Sequence, residues 1–130
     1  MAPNYDATNA EIAVLHQLWQ RGPMTVRQLA DLLYPGGEAS QYATVQTLLA
    51  RLEEKQCVSS DRSARPHRFT ATARREELIG WQLRSTAEKL CNGSMTPLLL
   101  HLLQAGQFDD AERAELRSFL DRLKKSKPGE

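Results

Sequence analysis

Between Ser40 and Leu52 the chain reads SQYATVQTLLARL, and the two faces of this segment are chemically opposite. Val45, Leu48, Leu49 and Leu52 recur at the spacing of one helical face, which predicts burial on that side. Across from them stand Ala43, Gln46, Thr47, Ala50 and Arg51, all small or hydrogen-bonding, with no bulky apolar residue and no carboxylate before Glu53. A helix built this way packs one side on a domain and leaves the other open to a polar partner. The major groove of duplex DNA fits that description. Small side chains allow close approach, Gln and Arg reach base edges, and Thr meets a phosphate or a thymine methyl.

The rest of the chain narrows the field. Its 130 residues suffice for one domain, or for a small domain with an oligomerisation appendage. No run of about 18 apolar residues occurs, so neither a membrane span nor direct membrane insertion is expected. The opening MAPNYDATNAE has no basic segment followed by an apolar one, so a secretory leader is not expected and a cytoplasmic location is.

The net charge of +1 conceals an uneven layout. Residues 1–60 carry four Lys/Arg against six Asp/Glu, and residues 76–130 carry eight against nine. Residues 61–75 hold Arg62, Arg65, Arg68, Arg74 and Arg75 against one Asp. A local basic patch just after the candidate reading helix is what phosphate contact requires; a solvated Arg-rich loop has the same composition. Cys57 and Cys91 have no partner at metal-ligand spacing, and His16, His67 and His101 stand far apart, so no metal and no cofactor are expected. Cys57, in an apolar-leaning stretch, reads as a small core residue, and Cys91 as structural filler or a redox handle. No phosphate loop, nucleophile motif or carboxylate pair argues for an enzyme.

Along the chain, residues 1–8 read as a flexible lead-in. Asn9 is placed to cap a first helix from Ala10 to about Arg21, with Ile12, Leu15, Leu18 and Trp19 inward and Val14 at the flank. Gly22-Pro23 ends it, and Thr25 caps a second helix from Val26 to about Leu33 with Leu29, Leu32 and Leu33 inward. Tyr34-Pro35-Gly36-Gly37 is a turn, and Ser40 caps a third helix reaching about Gln56. Two short extended pieces, 57–60 and 67–72, flank the Arg-rich turn 61–66 and predict a hairpin with a basic tip, Phe69 facing the helices and Arg68 and Thr70 outward. Three helices and a hairpin make a winged helix-turn-helix over residues 9–72. Its third helix enters the major groove and its wing touches the neighbouring backbone or minor groove.

The remainder, 73–124, reads as three further helices, with a tail over 125–130. The first carries Leu78, Ile79, Leu83, Ala87 and Leu90 as its stripe, with Trp81 at the flank, and breaks at Asn92-Gly93-Ser94. Ser94 or Thr96 caps the second, whose PLLLHLL, including Leu99, Leu102 and Leu103, is apolar nearly all round. Asp109 and Glu112 have capping-box spacing at the start of the third, which presents Leu116, Phe119, Leu120 and Leu123. So much apolar surface in so small a segment predicts a dimerisation region interlocking with a second copy, although packing on its own winged helix is the other way to cover it. A two-fold dimer sets two reading helices about one DNA turn apart, or a multiple, and so favours a pseudo-palindromic operator.

EIAVLHQLWQRGPMTVRQLADLL, YATVQTLLARLEEK, HRFTATARREEL and CNGSMTPLLLHLLQAGQFDDAERAELRSFLDRL together resemble the penicillinase-repressor family (BlaI, MecI and CopY types) over nearly the whole length. The resemblance implies a dimeric winged-helix repressor acting on double-stranded DNA, with an N-terminal DNA-binding domain and a C-terminal dimerisation domain. By residue matching it implies DNA contacts from Thr44, Thr47 and Arg51, with Ser40 at the helix start able to meet a phosphate. Thr25 and Arg27 match backbone contacts; Tyr42, Ala43 and Gln46 complete the reading face, and Arg62, Arg65 and Arg68 the wing. Thr44 and Thr47 could equally be half-buried, and Arg51 could pair with Glu54 or Glu11.

The chain departs from the family pattern in places. The Lys-Gly that usually ends the reading helix is Lys55-Gln56, and the wing lacks the usual Gly-Arg before an aromatic and valine. It ends in KKSKPGE without the Cys-x-Cys of copper-responsive members, which argues against copper sensing. Penicillin-responsive members are inactivated through a membrane metalloprotease, which the resemblance therefore implies as a possible partner. Against DNA binding stands one rival, a winged-helix module that binds protein; it would need exposed apolar anchors on the reading face in place of Ala43, Gln46, Thr47 and Arg51.

Overall fold

The computed structural model describes residues 3–63 and 65–125. Along these residues run α1 (Asn9–Arg21), α2 (Val26–Leu33), α3 (Ala39–Glu54), β1 (Val58–Asp61), β2 (Arg68–Ala71), α4 (Arg75–Cys91), α5 (Thr96–Ala105) and α6 (Asp110–Lys125). This is the expected mainly helical order, three helices, a hairpin and three helices. The chain divides into two compact units, Met1–Thr86 and Ala87–Glu130. The division falls inside α4; the sequence reading placed it between residues 72 and 73. Met1, Ala2, Ala64 and residues 126–130 of the expected tail lie outside the described residues.

In the first unit α1, α2 and α3 close on one core. Val45, Leu48, Leu49 and Leu52 of α3 are buried as its periodicity requires, against Val14, Leu15 and Leu18 of α1 and Leu29 of α2. Two inner faces differ from expectation. On α1, Val14 and the carboxylate residue Glu11 are fully buried, whereas Ile12 and Trp19 are only partly so. On α2 the buried stripe is centred on Leu29 and Ala30, which turns Leu32 outward.

Helix ends follow local hydrogen bonding. Thr8, not Asn9, caps α1: its hydroxyl accepts from Glu11 N while Glu11 Oε1 accepts from Thr8 N at 2.8 Å. Thr25 caps α2 in the same reciprocal way with Gln28. Helix α3 starts one residue before Ser40, because Gln41 Oε1 accepts from Glu38 N at 2.6 Å and makes Glu38 the cap residue. Met95, rather than Ser94 or Thr96, precedes α5. At the end of α3, Cys57 N donates to Leu52 O and Gln56 N to Glu53 O, a Schellman motif with Gln56 at φ 63°. A left-handed residue there is usually glycine, and this chain makes the turn without it.

The hairpin pairs Val58 with Ala71 through Asp61 with Arg68, in antiparallel register. It is anchored from an unexpected side. Met24, between α1 and α2, exchanges both backbone hydrogen bonds with Phe69, at 3.0 and 2.8 Å, and so adds a one-residue third strand. Phe69 thus leans on the helices while Arg68 and Thr70 point to solvent, as the alternation predicts. Trp19 Nε1 donates to Ala73 O at 2.9 Å, fixing the chain as it leaves the wing.

The lead-in is not loose. Tyr5 is buried in the core cluster, Asn4 N donates to Lys55 O at 2.8 Å, and Gln82 Nε2 of α4 donates to Tyr5 O at 3.0 Å. The reason is one aromatic ring with apolar area to bury, and a backbone whose polar groups find partners on two helices. The same packing corrects Leu78. Expected in the dimerisation stripe, it is 4% exposed and belongs to the core of the first unit.

The second unit has the opposite character. From Glu88 to Leu123 no residue is buried, and Leu98 and Phe108 are only partly covered. Helix α5 keeps all its leucines at least partly in solvent. Asp109 and Glu112 cap α6 reciprocally, as their spacing predicts.

Candidate nucleic-acid interface

The outer face of α3 is set by its inner face. With Val45, Leu48, Leu49 and Leu52 locked inward, Ser40, Ala43, Thr44, Gln46, Thr47, Ala50 and Arg51 are all exposed, and Tyr42 lies half-buried at the margin. Arg51 pairs with neither Glu54 nor Glu11. Lys55 Nζ occupies Glu11 at 2.7 Å, and the Arg51 guanidinium has no ion-pair or hydrogen-bond partner among the described residues. Its guanidinium therefore stands ready for a bidentate partner such as a guanine edge or a phosphate.

The threonines are more constrained. Thr44 Oγ1 donates to Ser40 O at 2.9 Å, and Thr47 Oγ1 donates to Ala43 O at 3.1 Å. Each hydroxyl proton is thus used within the helix. What remains to an incoming ligand is a methyl group and acceptor lone pairs. That chemistry suits a thymine methyl or a base amino group better than a phosphate, which can only accept.

Between the start of α2, the outer face of α3 and the wing runs an open groove of ≈ 450 Å³. Thr25, Arg27, Tyr42, Gln46, Arg62 and Arg65 line it, so six of the sequence-expected contact residues converge there. Arg27 stacks its guanidinium over the Tyr42 ring, 5.6 Å from the centroid, which holds the cation at the rim. Two further polar residues line the groove that the sequence reading did not single out as contacts, His67 and Glu53. His67 could have been found from its place in the basic segment. Glu53 could not, because its role depends on the fold: it accepts from Ser60 Oγ at 2.8 Å and pairs with Arg62 at 3.2 Å.

The three wing arginines are therefore not equivalent. Arg62 is drawn to Glu53, and Arg68 faces Asp61 across the strand register. Asp61 itself is held below the ordinary carboxylate range, first by the Ser63 hydroxyl and then by the Ser63 amide. Arg65 is exposed and has no ion-pair or hydrogen-bond partner among the described residues. Thr25 is likewise more occupied than expected: its hydroxyl caps α2 and the residue is 8% exposed, so what it presents outward is the start of a helix. Among the described residues no cluster of His, Cys, Asp or Glu could hold a metal ion, and no helix is long and apolar enough to cross a membrane.

The profile described as penicillinase repressor matches residues 7–122. A transcriptional regulator BlaI of Mycobacterium tuberculosis is 35% identical over 104 residues, covering 78% of this chain and 75% of the relative. A 16.5 kDa protein of Latilactobacillus sakei, described by its place in the ptsI 3′ region, is 27% identical over 88% of this chain and 78% of its own. Among solved structures, the transcriptional regulator Tm0710 of Thermotoga maritima aligns with a TM-score of 0.49 at 22% identity, covering 94% of this chain and 77% of that one.

Proposed function

The chain belongs to the penicillinase repressor family, and on that premise we propose that it is a homodimeric repressor whose two reading helices occupy a pseudo-palindromic operator. That it is a DNA-binding transcriptional regulator follows from its family; the dimer, the operator geometry and the contacting residues are the reading argued below.

The observation that carries this reading is the outer face of α3. It is exposed, contains no bulky apolar anchor, and borders a groove lined by Arg27, Arg62 and Arg65. A protein-binding module would need apolar anchors on that face, and Ala43, Gln46, Thr47 and Arg51 supply none. Base readout then falls to Arg51, Gln46 and the threonine methyls, and backbone positioning to Arg27, Arg65 and the first turns of α2 and α3. The second unit supports a second copy of the chain as partner. A helix the length of α5 is marginal alone, and nothing after Ala87 in the described residues is buried. Loss of the dimer would release the operator, because one arm makes half the contacts.

A gel shift on the DNA immediately upstream of the protein's own coding sequence tests the reading. The wild-type chain is expected to retain a specific fragment in the presence of excess random duplex. Arg51→Ala is expected to lose about 1–3 kcal/mol on that fragment and less on random DNA. Equal loss on both would make Arg51 a phosphate contact, and no retained fragment would end the proposal.

A further inference from the structure

Among the described residues, Glu53 is the only carboxylate that lines the groove between α2, α3 and the wing, where three arginines also stand. It follows Tyr42, Gln46 and Ala50 at helical spacing, so one stripe of α3 forms that wall of the groove. A negative charge in a surface that meets phosphates repels every duplex alike, so its presence calls for a physical reason. The reason lies in what its two oxygens hold. Oε2 accepts from the Ser60 hydroxyl of β1 at 2.8 Å, and Oε1 accepts from Arg62, the residue after β1, at 3.2 Å. One side chain thus ties the last turn of the reading helix to the wing. An exposed ion pair is worth little by itself. Here the carboxylate is half-buried and already ordered by the Ser60 hydroxyl, so Arg62 pairs with a fixed charge rather than a mobile one.

Resting on DNA binding at this groove, and not on the dimer, we propose that Glu53 is a specificity-determining residue that withholds the charge of Arg62 from the phosphate backbone. Binding to random duplex comes almost wholly from cations that displace counterions. A paired Arg62 displaces none, because any bond its remaining N–H groups make to a phosphate joins a neutral pair to the backbone. The groove therefore meets DNA with Arg27 and Arg65 as its charged contacts, which holds down binding to the wrong sequence. On a matched sequence the clamp has a second effect. It keeps the wing in place before contact, so less freedom is lost when helix and wing seat together. Glu53 thus costs affinity where only phosphates are met, and offsets that cost where base edges fix the register.

The test is the slope of log K against log salt, read by fluorescence anisotropy on random duplex and on the upstream fragment that the wild-type chain retains. Glu53→Gln keeps the shape and an acceptor for Ser60 but removes the charge that holds Arg62. On random duplex it is expected to bind about fivefold more tightly at about 0.1 M salt, with a slope steeper by about 0.9 for each bound copy of the chain. On the upstream fragment its affinity is expected to stay within about twofold of wild type, so discrimination falls. In an Arg62→Ala background the same Glu53→Gln change is expected to move the slope by less than about 0.2. A merely structural role would weaken binding to both duplexes and steepen neither slope. An unchanged slope, or an equal gain on both duplexes, would overturn the proposal. So would full steepening in the Arg62→Ala background, which would make Glu53 a simple repulsive charge. A changed preference at one base pair would overturn it too, by making Glu53 a reader of cytosine. Arg65→Ala checks the reading beneath: it is expected to flatten the wild-type slope by about 0.9 per copy. If it does not, the wing is not at the DNA, and it is the interface reading that fails and takes the clamp with it.

Discussion

At the scale of single residues, the two threonines of α3 show how the fold decides chemistry that composition leaves open. Thr47 is exposed, but its hydroxyl proton is committed to Ala43 O, so its methyl and lone pairs are what it offers to a partner. Thr47→Val, which keeps the methyl and the shape, is expected to bind the operator within about threefold of wild type. Thr47→Ser is expected to lose about 1 kcal/mol by removing an apolar contact with a thymine methyl. Quantitative gel shifts on the same fragment check this, and the reverse order would mean that the hydroxyl swings out to donate to a phosphate. Gln56 makes the second residue-scale case. At φ 63° it occupies a Schellman position that disfavours any side chain with a Cβ. Gln56→Gly relieves that conflict at the expense of a more flexible unfolded chain. The net expectation is a gain of about 0.5–1 kcal/mol in denaturant unfolding, whereas β-branched Gln56→Val should lose stability.

At the scale of elements, the joint between α1 and the end of α3 is tied by an ion pair whose carboxylate is buried and whose ammonium is partly exposed. Glu11 is fully buried, and its Oε2 has no hydrogen-bond partner. Burial alone would push its carboxyl up; the Lys55 ammonium and the Thr8 amide and hydroxyl outweigh that and hold it below its usual 4.5. A depressed folded value means that this contribution to stability is complete above about pH 4.5 and is lost as pH falls through the lower folded value. Tyr5 works in the opposite direction. Its phenol is raised from 10.0 to about 12 by the bond to Glu77 and by burial, so its contribution is complete below pH 10 and lost as pH rises through 12. Urea unfolding across pH should therefore show wild-type stability declining at both extremes, with a smaller acid decline in Glu11→Gln and a smaller alkaline one in Tyr5→Phe. Near neutrality Lys55→Met should cost about 3 kcal/mol, because it strands a buried carboxylate. None of this joint was legible in the sequence. Helical periodicity is local, so the inner face of α3, the Gly22-Pro23 stop and the Asp109–Glu112 cap could be read from neighbours a few residues apart. The pairing of Glu11 with Lys55, the bridge from Met24 to Phe69 and the docking of Tyr5 join residues dozens apart, and no short-range pattern encodes them. Leu78, Leu32 and the inner face of α1 went astray for a related reason: a stripe of apolar residues shows that a helix has an apolar side, but not what covers it.

At the scale of the whole molecule, apolar surface is distributed unevenly, and this asymmetry is what the dimer reading must explain. The first unit buries most of its large apolar side chains, while Leu90, Leu102 and Phe119 remain 76%, 55% and 53% exposed. Each half-exposed leucine forgoes roughly 1 kcal/mol of transfer free energy, so a face of several leucines can drive association without any polar contact. A charge placed there should therefore cost association and little else. Phe119→Glu and Leu102→Glu alter side chains already half in water, so the melting of the first unit should stay within about 0.5 kcal/mol of wild type. Dimerisation should weaken by a hundredfold or more, about 3 kcal/mol, because a carboxylate would have to be buried unpaired. DNA binding amplifies the effect. If a dimer holds its operator at about 1 nM, a lone arm with half of that free energy binds at only ~30 µM, beyond the reach of a gel shift at nanomolar protein. Sedimentation equilibrium of Phe119→Glu at micromolar concentration should show a monomer, and the same sample should fail to shift the full fragment while binding a single half-site as well as a wild-type arm does. A variant that stays dimeric would place Phe119 outside the interface. One that is monomeric yet still holds the full fragment at nanomolar concentration would mean that the reading helix does not need its twin.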